Sequence, residues 1–319
     1  MQIQASNLPA MQTILGAGGA IGVDLAKNLS QYSSRIRLVS RNPLKVNPQD
    51  EIFPADITDK DALDRAVAGS EVVYLTAGFE YNIQVWKETW PSLMDHLIDS
   101  CERHGAKLVF FDNVYMYDRD SMDPMTEDTL VKPSSKKGWI RAEIAEKLMN
   151  ASKEGRVKAL IARSADFLAI KNSVTVELLY KNMKKGKRPM WFASPTFVHS
   201  LTYTPDAAKA VALLGNTESA YGQVWHLPTT KRRLTIQDWA NLFARELGTT
   251  ARIQVIPGFA LTVMSWFNPL MKELKEMNYQ NDRNYFFDST KFDQAFGELT
   301  TPPEKAVKEL VIEMKKMGM

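Results

Sequence analysis

The sequence predicts an α/β fold in which a doubly wound parallel sheet, with helices on both faces, is followed by a smaller C-terminal substrate lobe. Three observations indicate this: apolar β-type runs alternate with helical patterns, a glycine-rich turn follows the first run, and the pattern changes after residue 164. We expect residues 1–164 to form a nucleotide-binding domain and residues 165–319 the smaller lobe, with the chain recrossing between the two.

The first part of the chain has the pattern of alternating strands and helices. Each predicted strand is a short run rich in β-branched and aromatic residues, and each predicted helix repeats its apolar residues every three or four positions. Because each helix returns the chain to the same edge of the sheet, successive strands are expected to be parallel. In order, the elements are strand 11–15, helix 20–31, strand 35–40, helix 59–68, strand 71–76, helix 82–104, strand 105–113, helix 138–153 and strand 156–164.

The second part has a different pattern. Its basic run KNMKKGKRP, at 181–189, is interpreted as a solvated loop. Two aromatic-rich stretches, RPMWFASPTFVHSLTY and WFNPLMKELKEMNYQNDRNYFF, suit either a core or the apolar wall of a cleft, and we favour the core. Helices are predicted at 205–214, 235–248 and 302–317.

Composition restricts the classes of partner. With 40 Lys and Arg against 37 Asp and Glu, the net charge of +3 does not favour nucleic acid or a membrane surface, and no basic amphipathic helix is apparent. A small anionic ligand suits the scattered basic residues better. We expect a small-molecule substrate, a monomer or homodimer, and neither nucleic acid nor membrane as a partner.

Cysteine and histidine usage predicts a reducing setting without a metal site. The single cysteine, Cys101, excludes an internal disulfide, and the four histidines do not fall at the spacing of helix-borne metal ligands. The N-terminus lacks the pattern of a signal peptide, and no stretch of about 18 uncharged apolar residues occurs. We therefore predict a cytoplasmic location.

The glycine-rich turn predicts dinucleotide binding. Gly16, Gly19 and Gly22 follow an apolar strand and open a helix. Such glycines permit a tight turn and a close approach of the backbone to a pyrophosphate, whose charge the N–H groups at the helix start stabilise. The cofactor-binding candidates in this turn are Gly16, Gly19, Ala20, Ile21 and Gly22.

The end of the second strand bears on the choice between NADP and NAD. An NAD site would place an acidic residue there to hold the ribose hydroxyls, but the sequence has Ser40 and Arg41. A guanidinium favours the 2′-phosphate of NADP, whereas the alternative is a surface arginine in a turn. We predict NADP, with NAD as the less favoured cofactor, and add Ser40 and Arg41 to the candidates.

From these motifs the chain resembles the extended short-chain dehydrogenase/reductase superfamily, which includes nucleotide-sugar epimerases and dehydratases. The resemblance implies that Asp56 and Ile57 flank the adenine, that Thr76 and Ala77 line the cofactor ribose, and that His199 is structural. Further motifs that carry it, in the order of the superfamily, are ADITD at 55–59, VVYLTAG at 72–78, VFFDNVYMYD at 109–118, RSADFL at 163–168 and FVHSLTYTPDAAKAVAL at 197–213.

The usual catalytic residues of that superfamily are missing. Its chemistry normally uses a Ser or Thr together with Y-x-x-x-K on one helix, where the ammonium lowers the pKa of the tyrosine. Here Asn113 takes the Ser/Thr position. One register of the helix puts Lys137 and Arg141 at the Tyr and Lys positions, and a shift by one puts Gly138 and Ala142 there. Neither register supplies a phenol.

Three residues are therefore candidates for catalysis. Lys137, beside another cation at Arg141, could exchange a proton, or could belong to a solvated helix start. Asn113 could orient a substrate oxygen. Tyr115 could face the substrate or could only pack. Arg141 is expected to bind a ribose or phosphate, or to pair with Glu143 or Asp112, because a guanidinium stays protonated at working pH.

Two functions follow from this pattern. The first is an atypical NADP-dependent oxidoreductase or epimerase-like enzyme that acts on a small polar or sugar-like substrate. The second is a non-catalytic NADP-binding protein, a redox or metabolite sensor that couples nucleotide occupancy to partner binding. The missing tyrosine keeps the second function open.

Overall fold

The computed structural model describes residues 10–319. The predicted absence of a signal peptide and the start of the predicted nucleotide-binding domain fall on residues 1–9, which lie outside this part. The strands are β1 (Met11–Leu15), β2 (Ile36–Ser40), β3 (Glu51–Pro54), β4 (Ser70–Leu75), β5 (Lys107–Asp112), β6 (Ala159–Arg163), β7 (Asp166–Leu168), β8 (Met190–Phe192), β9 (Leu201–Tyr203), β10 (Val224–His226) and β11 (Gln254–Ile256).

The helices confirm the predicted alternation. A π-helical turn, Val176–Tyr180, and two 3₁₀ turns, Glu218–Ala220 and Asn278–Gln280, accompany them. The α-helices are α1 (Gly22–Leu29), α2 (Lys60–Val67), α3 (Ile83–His104), α4 (Lys136–Lys153), α5 (Lys181–Lys184), α6 (Thr204–Gly215), α7 (Ile236–Leu247), α8 (Gly258–Phe267), α9 (Pro269–Glu276), α10 (Thr290–Phe296) and α11 (Pro303–Lys316).

Seven parallel strands form the central sheet in the order β10-β6-β5-β4-β1-β2-β3. This is the doubly wound, Rossmann-type order, with its reversal between β1 and β4, where ligands bind at the carboxyl ends of the strands. Helices α2, α3 and α4 cover one face, and α1 and α6 cover the other. The predicted fold class is confirmed.

Strand β10 and helix α6 join the central sheet although both come after residue 164. Val224 of β10 pairs with Ile161 of β6, and Ala207 of α6 packs in the same core cluster as Leu25 of α1. These contacts are of the kind expected if the chain recrosses between lobes. The division at residue 164 itself stays a prediction.

A separate core holds the smaller lobe together. Trp191, Trp239 and Phe243 are buried there among the apolar sides of α7 and α11. Helix α7 begins with a capping box in which the Thr235 hydroxyl accepts from the backbone N–H of Asp238, whose carboxylate accepts from the N–H of Thr235. The basic run at 181–189 is exposed over 184–188, as expected of a solvated loop.

The two aromatic stretches differ from the prediction in one place. Trp191, Tyr285 and Phe287 are buried, which confirms the core interpretation for these residues. Trp266 and Phe267, at the end of α8, are exposed by 72% and 84%, so the core interpretation is wrong for this segment. Helix α8 packs on the short helix α9, and the side that carries Phe259, Trp266 and Phe267 is exposed.

Candidate active site

The glycine turn after β1 is tightly packed at two of its three predicted positions. Gly16 has φ +98°, and a Cβ there would lie 2.6 Å from the backbone of Ala77. A Cβ on Gly22 would lie 2.6 Å from the carbonyl oxygen of Ala17. A Cβ on Gly19 would lie 3.2 Å from the oxygen of Gly16, whereas one on Gly18 would meet nothing within 4 Å. Gly16 and Gly22 therefore permit the tight turn and the close packing that a dinucleotide-binding turn requires.

Substitution of Gly22 should distort this turn. In Gly22→Ala the new methyl group overlaps the backbone of Ala17, so we expect a lower Tm, by several degrees, because a loss of about 1–3 kcal/mol is usual for overpacking. Differential scanning fluorimetry measures the shift. The matched control is Gly18→Ala, whose methyl group enters open space; equal Tm losses in the two variants would contradict the packing argument.

The other predicted cofactor residues lie at the same edge of the sheet. Ser40 ends β2, and its carbonyl oxygen accepts from Ala55 N at 2.9 Å. Thr76 follows β4 and donates from both its N–H and its hydroxyl to the oxygen of Leu15. Ile57 is buried after β3. These positions flank the reversal in strand order, where a dinucleotide would lie.

Arg41 and Asp56 lie close together at the outer end of this edge, and both are exposed. Hydrogen bonds from the backbone and hydroxyl of Thr58 lower the pKa of Asp56, and the charge of Arg41 lowers it further. A guanidinium and a carboxylate therefore lie near each other after β2 and β3. The choice between NADP and NAD stays a prediction.

Helix α4 presents Lys137 and Arg141 on its buried side. Ser135 caps the helix by accepting from Gly138 N at 3.0 Å, and a Cβ on Gly138 would lie 2.3 Å from the oxygen of Tyr115. This contact brings the helix start against the loop after β5. Lys137 and Arg141, four residues apart, are both buried on this side of α4, and the alignment of either register with Y-x-x-x-K stays a prediction.

Arg141 is held by the sheet. Its Nε lies 2.7 Å from Asp112 Oδ1, and Arg163 Nε lies 3.3 Å from Oδ2 of the same carboxylate. The Arg141 guanidinium also lies 4.5 Å from the ring centre of Trp90 and 4.8 Å from that of Phe110. Of the roles considered for Arg141, pairing with Asp112 is the one that the structure shows. A contact of Arg141 with a cofactor stays a prediction.

The same network fixes Tyr117. Its hydroxyl lies 2.9 Å from Arg163 Nη1 and 2.7 Å from His226 Nε2, and the other ring nitrogen of His226 lies 2.7 Å from the oxygen of Asp288. Burial lowers the pKa of His226 to about 3, so this histidine is neutral. Its Nδ1 must then carry the proton that the Asp288 oxygen accepts, and its Nε2 accepts from Tyr117. The Tyr117 hydroxyl is therefore engaged in hydrogen bonds with Arg163 and His226 inside the protein.

Lys137 is fully buried between two carboxylates and an aromatic ring. Its Nζ forms ion pairs with Glu273 and, at 3.0 Å, with Glu276, both from α9. It also lies 4.6 Å from the ring centre of Tyr81. The interpretation of Lys137 as part of a solvated helix start is therefore wrong, because the helix packs its first turn against α9. The exposed residue of the KK pair is Lys136.

Tyr81, whose ring lies beside this lysine, is linked to a second buried phenol. Tyr81 and Tyr115 share a hydrogen bond, and the Tyr115 ring stacks on Trp86 at 6.3 Å. Burial, with the Asp166 charge adding to it, raises the pKa of Tyr115 well above its ordinary value. Burial also raises the pKa of Tyr279 to about 12. These phenols stay protonated at neutral pH, unlike a tyrosine whose pKa is lowered by a neighbouring ammonium.

Asn113 and His199 hold backbone and side chains in position. The Asn113 side-chain oxygen accepts from Tyr115 N at 3.0 Å, which leaves its NH₂ group as the donor it could offer to a substrate oxygen. His199 is buried, stacks on Tyr285 at 4.6 Å and lies 2.9 Å from Asp166 Oδ2 through Nε2. These contacts are those of a structural histidine. Among residues 10–319, no group of three or more His, Cys, Asp or Glu side chains could hold a metal ion.

The sequence analysis did not identify several residues at this site. Tyr81 precedes α3, whereas Glu273, Glu276 and Tyr279 come from α9 and the turn after it, more than 130 residues beyond Lys137 in the chain. Asp166 lies within the motif at 163–168, whose stretch 164–167 the family resemblance places near the nicotinamide, but it was not named as a candidate. No local spacing links these residues to α4, so only the tertiary fold brings them together.

Comparison with known proteins agrees with this architecture. The family model described as NAD dependent epimerase/dehydratase family matches residues 13–226. No curated protein sequence matches the chain. A dTDP-glucose 4,6-dehydratase from Streptomyces venezuelae, solved with NAD and TYD bound, is similar with a TM-score of 0.78 at 14% identity, over 96% of this chain and 97% of that one.

Two epimerases show the same similarity of fold. The UDP-N-acetylglucosamine 4-epimerase from Bacillus cereus has a TM-score of 0.75 at 15% identity, over 96% of both chains. The UDP-glucose 4-epimerase of Thermus thermophilus, in complex with NAD, has a TM-score of 0.75 at 15% identity, over 96% of this chain and 99% of that one. At these identities the similarity shows the fold alone.

Proposed function

The chain belongs to the NAD dependent epimerase/dehydratase family, and from this premise we propose that it is an atypical NADP-dependent oxidoreductase or epimerase-like enzyme acting on a small polar or sugar-like substrate. The observation that carries the proposal is the placement of Lys137 and Arg141. They occupy one buried side of α4, and the Lys137 ammonium lies beside Tyr81 where the carboxyl ends of the sheet strands meet.

The cofactor edge fits a dinucleotide because a side chain at Gly16 or Gly22 would overlap neighbouring backbone. In the proposal this turn holds the pyrophosphate, Thr76 lines the ribose and Arg41 contacts the 2′-phosphate. Bound NADP or NADPH would accept or supply hydride. The sugar-nucleotide substrates named for the structural neighbours support a sugar-like substrate.

Within the chain, we assign proton transfer to Lys137. The two glutamates of α9 complement its positive charge in this arrangement, and once α9 moves Lys137 would act as a donor to a substrate oxygen. The Asn113 amide would orient the same oxygen. Because the phenols of Tyr115 and Tyr279 have raised pKa values, they would donate hydrogen bonds and would not act as bases.

A non-catalytic NADP sensor is the second candidate, and one observation favours it. Lys137 has no exposed side-chain surface and is enclosed by Glu273 and Glu276 of α9, so a substrate reaches it only if α9 moves. If α9 moved only when the nucleotide binds, the contact between α9 and Lys137 would change with nucleotide occupancy. A partner protein could then recognise that change.

A substrate panel distinguishes the two candidates. The protein is incubated with NADPH or NADP and with aldehydes, ketones and nucleotide sugars, and both cofactor absorbance and product composition by NMR are followed. Product analysis is necessary because an epimerase returns the hydride and leaves the absorbance unchanged. Turnover of any member supports the enzyme, whereas tight NADPH binding with every substrate unchanged supports the sensor.

Arg41 provides a test of cofactor choice. In Arg41→Ala we expect NADPH binding to weaken by about tenfold or more, because a hydrogen bond to a charged group contributes about 1.5–3 kcal/mol. NADH binding should change little, since NADH lacks the 2′-phosphate. Titration calorimetry with both nucleotides measures this, with the exposed Lys45 changed to Ala as the control. Equal losses for NADPH and NADH would contradict the 2′-phosphate assignment.

A further inference from the structure

Helix α8 exposes a continuous apolar surface, which we call the α8 face: Phe259, Val263, Trp266, Phe267 and Leu270. The spacing of four, three and one residues places the first four on one side of α8, and Leu270 lies in the first turn of α9, after the break at Asn268. Phe259, Trp266 and Phe267 are exposed by 75%, 72% and 84%. Exposed aromatic residues clustered in this way mark an interaction surface.

The charged residues that flank the α8 face in the sequence are both basic. Residues 253–271 contain no charged side chain, and the exposed residues Arg252 and Lys272 flank this stretch. The nearest carboxylates, Glu273 and Glu276 of α9, are directed inward to Lys137. The outer surface of this hairpin therefore combines aromatic side chains with cations.

The basic run at 181–189 lies near one of these two cations, Arg252. It ends one residue before β8, and Met190 of β8 pairs in parallel with Gln254 of β11. Lys187 and Arg188 therefore lie at the same end of this strand pair as Arg252. The sequence analysis did not anticipate the surface because its cations and its apolar residues come from different segments, so no single helix is basic and amphipathic.

We propose that the α8 face docks the protein on an anionic membrane surface. Aromatic side chains favour the boundary between head groups and acyl chains, and flanking Lys and Arg are attracted to anionic lipids. Helix α8 is short and lies between Pro257 and Pro269, so it would lie in the interface. Among residues 10–319 no helix is long and apolar enough to cross a bilayer.

A second copy of the chain fits this surface less well. In a two-fold symmetric dimer the same patch meets itself, so Arg252 and Lys272 of one copy would approach the same cations of the other. The Glu273 and Glu276 carboxylates that could have offset this charge are already paired with Lys137. An anionic lipid surface supplies the opposite charge.

The test is flotation of the full protein with vesicles of phosphatidylcholine alone or mixed with phosphatidylglycerol. The wild type should float with the anionic vesicles and less with the neutral ones, and added salt should weaken this binding. The double variant Trp266→Ser, Phe267→Ser should lower partitioning by about tenfold or more, because each aromatic side chain loses its burial in the interface.

Two controls separate the membrane from other occupants. Trp139→Ser removes an aromatic residue of similar exposure (65%) on α4 and should leave partitioning unchanged. The double variant Arg252→Glu, Lys272→Glu should abolish the preference for anionic vesicles. The control Lys60→Glu, which changes an exposed residue at the start of α2, should not. Failure of the wild type to float would overturn the proposal, as would a dimer in light scattering that the Trp266→Ser, Phe267→Ser variant dissociates. Neither result depends on turnover.

Discussion

Replacement of Asp112 by alanine should destabilise the protein by about 3–5 kcal/mol, because it leaves two buried guanidinium groups without their carboxylate. Asp112 is 1% exposed and receives hydrogen bonds from Arg141 and Arg163, which are 4% exposed. The change should lower the urea midpoint strongly with little change in slope. Equilibrium unfolding followed by circular dichroism measures the free energy of unfolding.

A surface carboxylate provides the control for this result. Asp120 lies 3.1 Å from Arg283, but its side chain is 72% exposed, so the water around it screens the pair. Asp120→Ala should cost well under about 1 kcal/mol. If Asp112→Ala and Asp120→Ala lose similar stability, the buried network does not hold α4 to the sheet in the way described.

The second large effect is expected at Lys137. Lys137→Arg should keep the positive charge between Glu273 and Glu276, and with it the stability of the α4–α9 contact, but should lower kcat by about 10²–10⁴-fold. The reason is that a guanidinium does not release its proton at working pH. Steady-state kinetics on the best substrate of the panel measures the loss, and NADPH binding should be unaffected.

Neighbouring residues make this test specific. Lys136→Met changes the exposed residue beside Lys137 and should leave kcat unchanged. Lys137→Met removes the charge as well, so it should lose both kcat and stability because two carboxylates are left unpaired. Tyr115→Phe should keep most of the activity, since the raised pKa of this phenol makes it a poor proton carrier. Loss of activity in Tyr115→Phe with retention in Lys137→Arg would reverse the assignment.

The sequence predicted the central sheet well because its strands and helices carry local signals. The run MQTIL and the glycine turn after it identify β1 and α1 from neighbouring residues alone. Strand β10, in contrast, is three residues long and was not predicted as part of the sheet. Its position beside β6 depends on the tertiary return of the chain, which no local period encodes.

The candidate site also divides into residues that a local pattern identifies and residues that only the tertiary fold brings into place. Asn113, Lys137 and Arg141 were identified because they occupy positions of a known motif, and Tyr115 because it is among the nearest tyrosines in sequence. Glu273 and Glu276 were not, because the segment that carries them has the composition of an ordinary amphipathic helix. The exposure of Trp266 was also mispredicted, since an aromatic run has the same pattern whether it faces a core or the outside.

A single-turnover comparison of the wild type and Lys137→Arg, each mixed with bound cofactor and the nucleotide sugars of the panel, tests the central claim most directly. Our account predicts product from the wild type and from Lys136→Met, and a loss of product in Lys137→Arg while NADPH binding stays intact. Tight NADPH binding by the wild type, with every substrate recovered unchanged by NMR, would contradict an enzymatic role for the α4 lysine.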